Sequence, residues 1–312
     1  MLRKILEISR EGLFISKQRG FLRIQHGSDI LGEVPLSDIA VLMLTARGIT
    51  LTKEILVSLN QLGTPVIFCG KSYLPESIMC PMFGNYEFSG RLKIQIDTSL
   101  PLRKQLWKII VREKIGNQAL AVDVLGKHKE AEALKSIIDD VNSGDTTNRE
   151  AYAAKLYWDY LFGESFTRKT DSEDGVNSYL NYGYAILRSA VARAVSMAGL
   201  IPSLGLHHIS KTNNYCLVDD LMEPFRPVVD LFVYFLAGTK ELKELSSSDK
   251  SHLANISQLD LDTPKGKSPL IKAVESYAYS LFESFREKDS TLLCIPKIIK
   301  ENITEQTSPL PF

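Results

Sequence analysis

IAVLML, residues 39–44, is the stretch that decides the fold class of the first part of this chain. An uninterrupted apolar run of this length is typical of a β-strand buried on both faces. A similar run, VIFC at 66–69, follows the helix-ending segment Gly63-Thr64-Pro65. Between the two runs, apolar residues recur with the period of a helix, at Ile55, Leu56, Leu59 and Leu62. The pattern predicts two buried strands connected through one short helix.

The residues before this run show a strand pattern of their own. Short apolar stretches are separated by the turn pairs Glu11-Gly12, Arg19-Gly20 and His26-Gly27, which indicates strands joined by tight turns. We therefore predict that residues 1–73 form a small β-rich domain with one embedded helix. Residues 74–98 are mixed in composition, and we predict a connector there with one further strand or loop.

From Pro101 onward the pattern changes to that of helices. Pro101 suits a first helical turn, and the apolar residues after it keep helical spacing, at Leu102, Leu106, Ile109, Ile110 and Ile115. Similar patterns predict further helices near 128–141, 148–162, 178–198, 220–237 and 268–288. The expected fold class is α+β, with a larger all-α domain over residues 99–312.

Composition limits the classes of function. The 312-residue chain has 37 basic and 37 acidic residues, so any surface for nucleic acid must be local. The four cysteines form no CxxC pair, which argues against a disulfide scaffold or a cysteine zinc site. The apolar run at 228–237 contains Asp230 and is too short to span a bilayer, and the N-terminus does not resemble a signal peptide. We expect a cytoplasmic protein with no membrane segment.

Two short segments carry the strongest functional signal, GLHH at 205–208 and DLMEPFRP at 220–227. Together with Asp219 they bring two histidines, three acids and one arginine into a short stretch. Such a set can hold a hard divalent cation beside a phosphate. The two segments therefore suggest phosphodiester chemistry.

Asp220, Glu223 and Arg226 follow one another at i, i+3 spacing, which places them on one face of a helix. One interpretation is structural, with Asp220 as the helix cap and Glu223 paired with Arg226. The other is functional, because Pro224 and Pro227 remove backbone donors and bend a helix. A bent helix end can direct acids into a pocket.

The histidine doublet also has two interpretations. A histidine is more often a packed or hydrogen-bonded residue than a ligand, and of two neighbours at most one, His207 or His208, is expected to bind a metal. The polar run SKTNN at 210–214 cannot form a core. It suits a loop along a phosphate backbone, with Lys211 as a donor.

Glu150 and the helix at 178–198 complete the candidates. Thr147 and Glu150 have the spacing of a capping box, although Glu150 is also placed to project from the first helical turn as a metal ligand. On the later helix, Arg188 falls off the apolar stripe, so it is expected to be solvated. Asn181 and Tyr182 are the better site candidates there.

Several of these motifs together carry a resemblance to a known family. The matching stretches are KIGNQA (114–119), NREAYAAKLYW (148–158), SYLNYGYAILRSAVARAV (178–195), GLIPSLGLHH (199–208) and DDLMEPFRPVVD (219–230). They resemble the CRISPR-associated integrases that form the first numbered subunit of the spacer-acquisition machinery. The histidine doublet and DLMEPFRP are most similar to members that accompany type II systems.

The resemblance implies a sandwich-like N-terminal dimerisation domain and a helical catalytic domain. It also implies a metal site for Mg²⁺ or Mn²⁺ made by Glu150, His208 and Glu223, with Asp220 as a neighbouring acid. His208 is preferred over His207 because its separation from Glu223, fifteen residues, fits the family better. In many relatives the third ligand is Asp, so Glu223 requires a slightly different backbone position.

The implied activity is a metal-dependent DNA endonuclease and integrase. The 3′-hydroxyl of a short foreign DNA fragment attacks a phosphodiester of the CRISPR repeat. Five residues are candidate DNA contacts on the basis of their type and position in the sequence: Arg149, Tyr182, Arg188, Lys211 and Arg226. The implied partners are a second copy of the chain, a small dimeric second subunit that completes a heterohexamer, the RNA-guided nuclease and a fourth acquisition protein.

Two alternatives to this activity remain. One is a DNA-binding scaffold without catalysis, against which the intact set of predicted ligands argues. The other is a metal-dependent phosphohydrolase, but the HD type needs a His-Asp dipeptide, and this chain has none. Metal-dependent nicking of DNA would distinguish an integrase from both.

Overall fold

The chain divides between Tyr86 and Glu87 into two units. The computed structural model describes residues 4–70, 75–79, 88–170 and 175–301. Within the connector predicted for 74–98, strand Pro75–Met79 is the further strand that was expected, and it belongs to the first unit. The helix Phe88–Asp97 was not expected, and it begins the second unit.

The first unit is rich in strands, as the sequence predicts. Its elements in chain order are β1 (Lys4–Ile8), β2 (Leu13–Gln18), β3 (Phe21–His26), β4 (Asp29–Pro35), β5 (Ile39–Leu44), β6 (Thr50–Leu51), helix α1 (Lys53–Gln61), β7 (Val66–Cys69) and β8 (Pro75–Met79). All six side chains of β5 are buried, which is the property that its continuous apolar sequence predicts.

The strands form two sheets over one core. One sheet has the order β1-β5-β7-β8, with β5 parallel to β1 and β7, and the other has the order β4-β3-β2-β6. Apolar side chains from both sheets and from α1 share a single cluster: Ile8, Leu13, Ile15, Leu22, Leu36, Ile39, Leu42, Leu44, Ile55, Leu59 and Val66. Two sheets that enclose a common core agree with the expected sandwich-like arrangement.

The second unit is mainly helical. Its helices are α2 (Phe88–Asp97), α3 (Leu100–Val124), α4 (His128–Ile137), α5 (Arg149–Phe162), α6 (Gly175–Met197), α7 (Cys216–Met222), α8 (Arg226–Thr239), α9 (Ser247–Ala254) and α10 (Leu270–Glu287). Helix α6 lies at the centre, in contact with α7, α8, α9 and α10. In the described part of the chain, no helix has the length and apolar character required to cross a membrane.

The second unit is not all-α, which corrects one part of the prediction. Strands β9 (Asp260–Thr263), β10 (Gly266–Pro269) and β11 (Lys297–Ile298) form a small antiparallel sheet in the order β10-β9-β11. Leu261 is fully buried, but most of the other strand residues are polar and partly exposed. Strands with one inward apolar residue give no alternating pattern, so the sequence offered no signal for them.

Candidate active site

Glu150 lies in the first turn of α5, and a carboxylate outside the helix fixes that turn. Asp145 accepts hydrogen bonds from the backbone N–H of Arg149, at 2.9 Å, and of Glu150, at 3.0 Å. Asn148, the residue before the helix, is left-handed with φ 54° and makes no side-chain cap. The capping-box interpretation of Thr147 and Glu150 is therefore wrong, because Asp145 supplies the acceptor that the first turn needs.

Glu223 lies where one helix gives way to the next. Helix α7 ends at Met222, a 3-10 turn spans Glu223–Phe225, and α8 begins at Arg226. Pro224 and Pro227 have no N–H to donate, so the α-helical hydrogen-bond ladder is interrupted here. The interruption of α-helical hydrogen bonding is the one that the two prolines predict, and the bend stays a prediction.

Two side-chain contacts hold Glu223 and its turn in place. Asn117 on α3 donates a hydrogen bond to the carbonyl oxygen of Pro224, at 2.8 Å. Arg226 Nε lies 2.8 Å from Glu223 Oε1, so the predicted i, i+3 ion pair is confirmed. The capping role considered for Asp220 is wrong, because α7 begins four residues earlier, at Cys216.

Lys114 joins the two predicted carboxylate ligands. Its ammonium lies 2.6 Å from Glu150 Oε1 and 2.5 Å from Glu223 Oε2. All three side chains are largely buried, with 10%, 19% and 6% exposed for Lys114, Glu150 and Glu223. Helices α3, α5 and the α7–α8 turn therefore meet at a single point through charged groups.

The charges in this cluster stabilise one another. Burial alone would raise the pKa of Glu223, but Arg226 and Lys114 outweigh it and lower that pKa to about 2. Burial opposes the charge on Lys114 in the same way, and the carboxylates of Glu223 and Glu150 outweigh it and raise its pKa. At neutral pH this balance keeps Lys114, Glu223 and Arg226 charged.

Asp220 organises the histidine loop, residues 198–215 between α6 and α7. Its Oδ2 accepts the backbone N–H of Leu206 at 2.6 Å and of His207 at 3.1 Å. Its Oδ1 accepts the backbone N–H of His208 at 3.2 Å and lies 2.6 Å from the ring Nδ1 of that residue. One fully buried carboxylate thus fixes three consecutive backbone amides and one imidazole.

The loop passes Asp220 so closely that only a glycine fits at position 205. A Cβ there would lie 2.4 Å from the carbonyl oxygen of His208 and 2.9 Å from Asp220 Oδ2. The hydrogen bond with Asp220 raises the pKa of His208 against the effect of burial. His208 keeps 45% of its side chain exposed, and with Nδ1 held by Asp220 its Nε2 is available for another interaction.

The two histidines have different surroundings. The ring of His207 stacks on Trp107 of α3, with ring centroids 4.5 Å apart and planes 4° apart. The ring of His208 meets the edge of the same indole, at 5.7 Å and 82°. His207 is the histidine that packs, and His208 is the one held by a carboxylate. The choice of His208 as a metal ligand stays a prediction.

The residues predicted to contact DNA lie in different environments. Tyr182 is wrong as a direct contact, because it is only 1% exposed in the core around α6. Arg188 forms an ion pair with Asp219 at 2.8 Å, and Arg226 is occupied by Glu223. Lys211 is exposed in the histidine loop and Arg149 is half-buried at the start of α5. These last two remain predictions.

A second buried polar cluster lies on the far side of Arg226. Asp230 accepts hydrogen bonds from the hydroxyl groups of Tyr157, at 2.9 Å, and of Tyr184. The guanidinium groups of Arg226 and Arg168 lie 4.9 and 5.2 Å from the centroid of the Tyr184 ring. Burial raises the pKa of Asp230 to about 7, although the tyrosine hydroxyls and the arginines act in the opposite direction.

Sequence analysis missed Lys114, Trp107 and Asp145. Lys114 had a readable signal, because it interrupts the apolar face of α3 close to Ile110, Val111 and Ile115, all of which are buried. A charged residue at such a position needs a buried partner of opposite charge. Asp145 had no such signal, because its role depends on the left-handed residues of the turn before α5.

The sequence model of the family described as CRISPR associated protein Cas1 matches residues 6–257. The CRISPR-associated endonuclease Cas1 of Neisseria meningitidis serogroup C (strain 8013) is 38% identical over 286 residues, which cover 91% of this chain and 93% of that protein. The chain belongs to the Cas1 family, which confirms the resemblance seen in its motifs.

Solved structures agree on the fold. A casposase bound to integration product superimposes with a TM-score of 0.76 at 18% identity, over 92% of this chain and 93% of that one. A chain of a Cas6-RT-Cas1–Cas2 complex gives a TM-score of 0.73 at 17% identity, over 96% of this chain and 36% of that one. At these identities the likeness concerns the fold alone, and it confirms an α+β architecture of this kind.

Proposed function

We propose that this chain is a metal-dependent DNA endonuclease and integrase that inserts short foreign DNA fragments into a CRISPR array. The observation that carries the proposal is that Lys114 brings Glu150 and Glu223 together at the junction of α3, α5 and α7–α8, and both carboxylates contribute to the raised pKa of His208. Family membership, the endonuclease name of the Neisseria relative and the casposase neighbour support the same activity.

The donor set fits a hard divalent cation. Glu150 and Glu223 supply carboxylate oxygens and His208 supplies Nε2, a combination that suits Mg²⁺ or Mn²⁺. Glu223 Oε2 already faces a cation, since the Lys114 ammonium lies 2.5 Å from it. No three His, Cys, Asp or Glu side chains in the described ranges are already grouped as a metal site, and the Lys114 ammonium lies between the two carboxylates.

Asp220 has a supporting role in this proposal. Metal-binding histidines usually donate their second ring N–H to a carboxylate, which fixes the tautomer and the direction of the ring. The 2.6 Å contact between His208 Nδ1 and Asp220 Oδ1 has this form. Asp220 therefore positions His208 and is not itself counted as a ligand.

The positively charged side chains of the site are proposed to stabilise the phosphate and to contact DNA. A bound divalent ion would act as a Lewis acid on the scissile phosphate. Arg226, already paired with Glu223, adds positive charge on the same side and helps to neutralise the phosphate in the transition state. Lys211 and Arg149 are proposed to contact DNA phosphates, so binding should weaken as salt increases.

The partners follow from the family and remain proposals. We expect a homodimer formed through the strand-rich unit and bridged to a second dimer by Cas2, and the Cas6-RT-Cas1–Cas2 neighbour supports such an association. A type II context would add the RNA-guided nuclease and a fourth acquisition protein. We expect this assembly to act on DNA in the cytoplasm.

Strand joining tests the function and the choice of histidine together. Supercoiled plasmid with a repeat is mixed with short duplex DNA ending in 3′-hydroxyl groups, the Cas2 partner and Mn²⁺ or Mg²⁺. His208→Ala should abolish joining, whereas His207→Ala, the matched control on the neighbouring residue, should retain it. Circular dichroism confirms that both variants are folded.

Three outcomes would contradict parts of the proposal. Loss of joining in His207→Ala alone would preserve the function and move the ligand to the other histidine. Absence of both nicking and joining by the wild-type protein with either metal would favour a DNA-binding scaffold. Hydrolysis of nucleotides without cleavage of DNA would instead favour a phosphohydrolase.

A further inference from the structure

Lys114 occupies the position that the proposed function gives to a divalent ion. Its ammonium is within 2.6 Å of Glu150 Oε1 and 2.5 Å of Glu223 Oε2. These are the two carboxylates that the metal would share.

An internal cation is needed at this position for a physical reason. Two carboxylates close together in a buried site repel each other and lose their hydration, and each costs several kcal/mol if it remains unpaired. The charge of Arg226 is shared with one of them, Glu223, at 2.8 Å. Lys114 is the group that reaches both, so it holds the pair together in the absence of metal.

Helix α3 is tied to the α7–α8 turn close to Lys114, and the flexible part of this residue is its side chain. Asn117, one helical turn further along α3, is bonded to Pro224 beside Glu223, which ties α3 to the α7–α8 turn. The lysine stem has four rotatable carbons, so its ammonium can move without displacing the helix. Entry of a metal therefore requires only that this ammonium swing away.

We propose that Lys114 is a resident cation that competes with the divalent metal and so sets the metal affinity of the site. The inference rests on the proposed function, because it takes Glu150 and Glu223 as the metal ligands. In this view the apo site is preformed, and the charges of Glu150, Glu223, Lys114 and Arg226 sum to zero. Metal binding then exchanges one cation, the Lys114 ammonium, for another.

Lys114→Met tests the exchange, because methionine keeps the length of the stem and removes the charge. Its Mn²⁺ affinity, measured by isothermal titration calorimetry, should increase about tenfold or more, since a unit charge a few ångströms from the ion is lost. Its thermal stability in EDTA should fall, and the stabilisation by Mn²⁺ should exceed that of the wild type. Lys104→Met, at an exposed position of α3, is the matched control and should change neither value.

The direction of the change in Mn²⁺ affinity distinguishes competition between Lys114 and the metal from a loss of structure at the site. A merely structural lysine would weaken metal binding when removed, so unchanged or weaker Mn²⁺ binding by Lys114→Met overturns the inference. Glu150→Gln and Glu223→Gln should weaken binding in the same assay, and if they do the proposed site remains valid whatever Lys114→Met shows. If neither the wild type nor Lys114→Met binds Mn²⁺, the metal site and this inference are both wrong.

Discussion

Replacing Asp220 by Asn should release the histidine loop. The carboxylate accepts the N–H groups of Leu206 and His207 on one oxygen, and the N–H and the ring Nδ1–H of His208 on the other. An amide has one oxygen, so in either orientation its NH₂ group faces two donors. At roughly 1.5–3 kcal/mol for each hydrogen bond to a charged acceptor, the loss is about 3–6 kcal/mol.

Amide hydrogen exchange across residues 198–215 measures this loss directly. Because every 1.4 kcal/mol is tenfold, exchange in the loop should become faster by a factor of about 100 or more. Asp139→Asn is the control, since Asp139 pairs with Arg112 at an exposed position outside the histidine loop, and we expect less than about 1 kcal/mol there. Exchange rates in Asp220→Asn within tenfold of those in Asp139→Asn would refute the role of Asp220 as the loop anchor.

Three further outcomes are expected. The pKa of Asp230 is about 7 in the folded protein and about 3.9 in the unfolded chain, so the free energy of unfolding should fall by about 1.4 kcal/mol per pH unit as the pH rises between these values. Urea unfolding of Asp230→Asn should lack this fall. Parallel plots of unfolding free energy against pH for the variant and the wild type would contradict it. Gly205→Ala, whose Cβ would lie 2.4 Å from a carbonyl oxygen of the histidine loop, should cost about 1–3 kcal/mol in urea unfolding, whereas Gly238→Ala, with open space around it, should be neutral or stabilising. Gly183→Ala brings a Cβ to 2.5 Å from Val229 Cγ1 and should cost about 1–3 kcal/mol, part of which Val229→Ala should restore in the double variant; no recovery would mean that α6 and α8 adjust elsewhere.

The elements with strong periodicity could be predicted from the sequence. The buried strand β5 and the helices α3, α5 and α6 appear where their apolar patterns place them. The two prolines of DLMEPFRP also predicted the break between α7 and α8. In each case the signal is local, because spacing or a missing N–H acts within one or two turns.

The parts that were missed depend on distant residues. The role of Lys114 depends on its contacts with Glu150 and Glu223, which lie on other elements of the chain. Tyr182 seemed accessible because it lies off the apolar stripe of α6, but that helix is surrounded by others and is buried on nearly every side. A periodic apolar pattern shows which face of a helix packs on the core. It cannot show how many neighbouring helices cover the other faces.

The charges at the junction of α3, α5 and α7–α8 have a consequence for how ligands enter. The charges of Glu150 and Glu223 balance those of Lys114 and Arg226. A divalent ion that replaces the Lys114 ammonium would leave these groups with a surplus of one positive charge, which the single negative charge of a DNA phosphodiester can cancel. By thermodynamic linkage, each ligand would then raise the affinity for the other by the same factor. DNA should therefore strengthen the binding of the metal, and the metal should strengthen the binding of DNA.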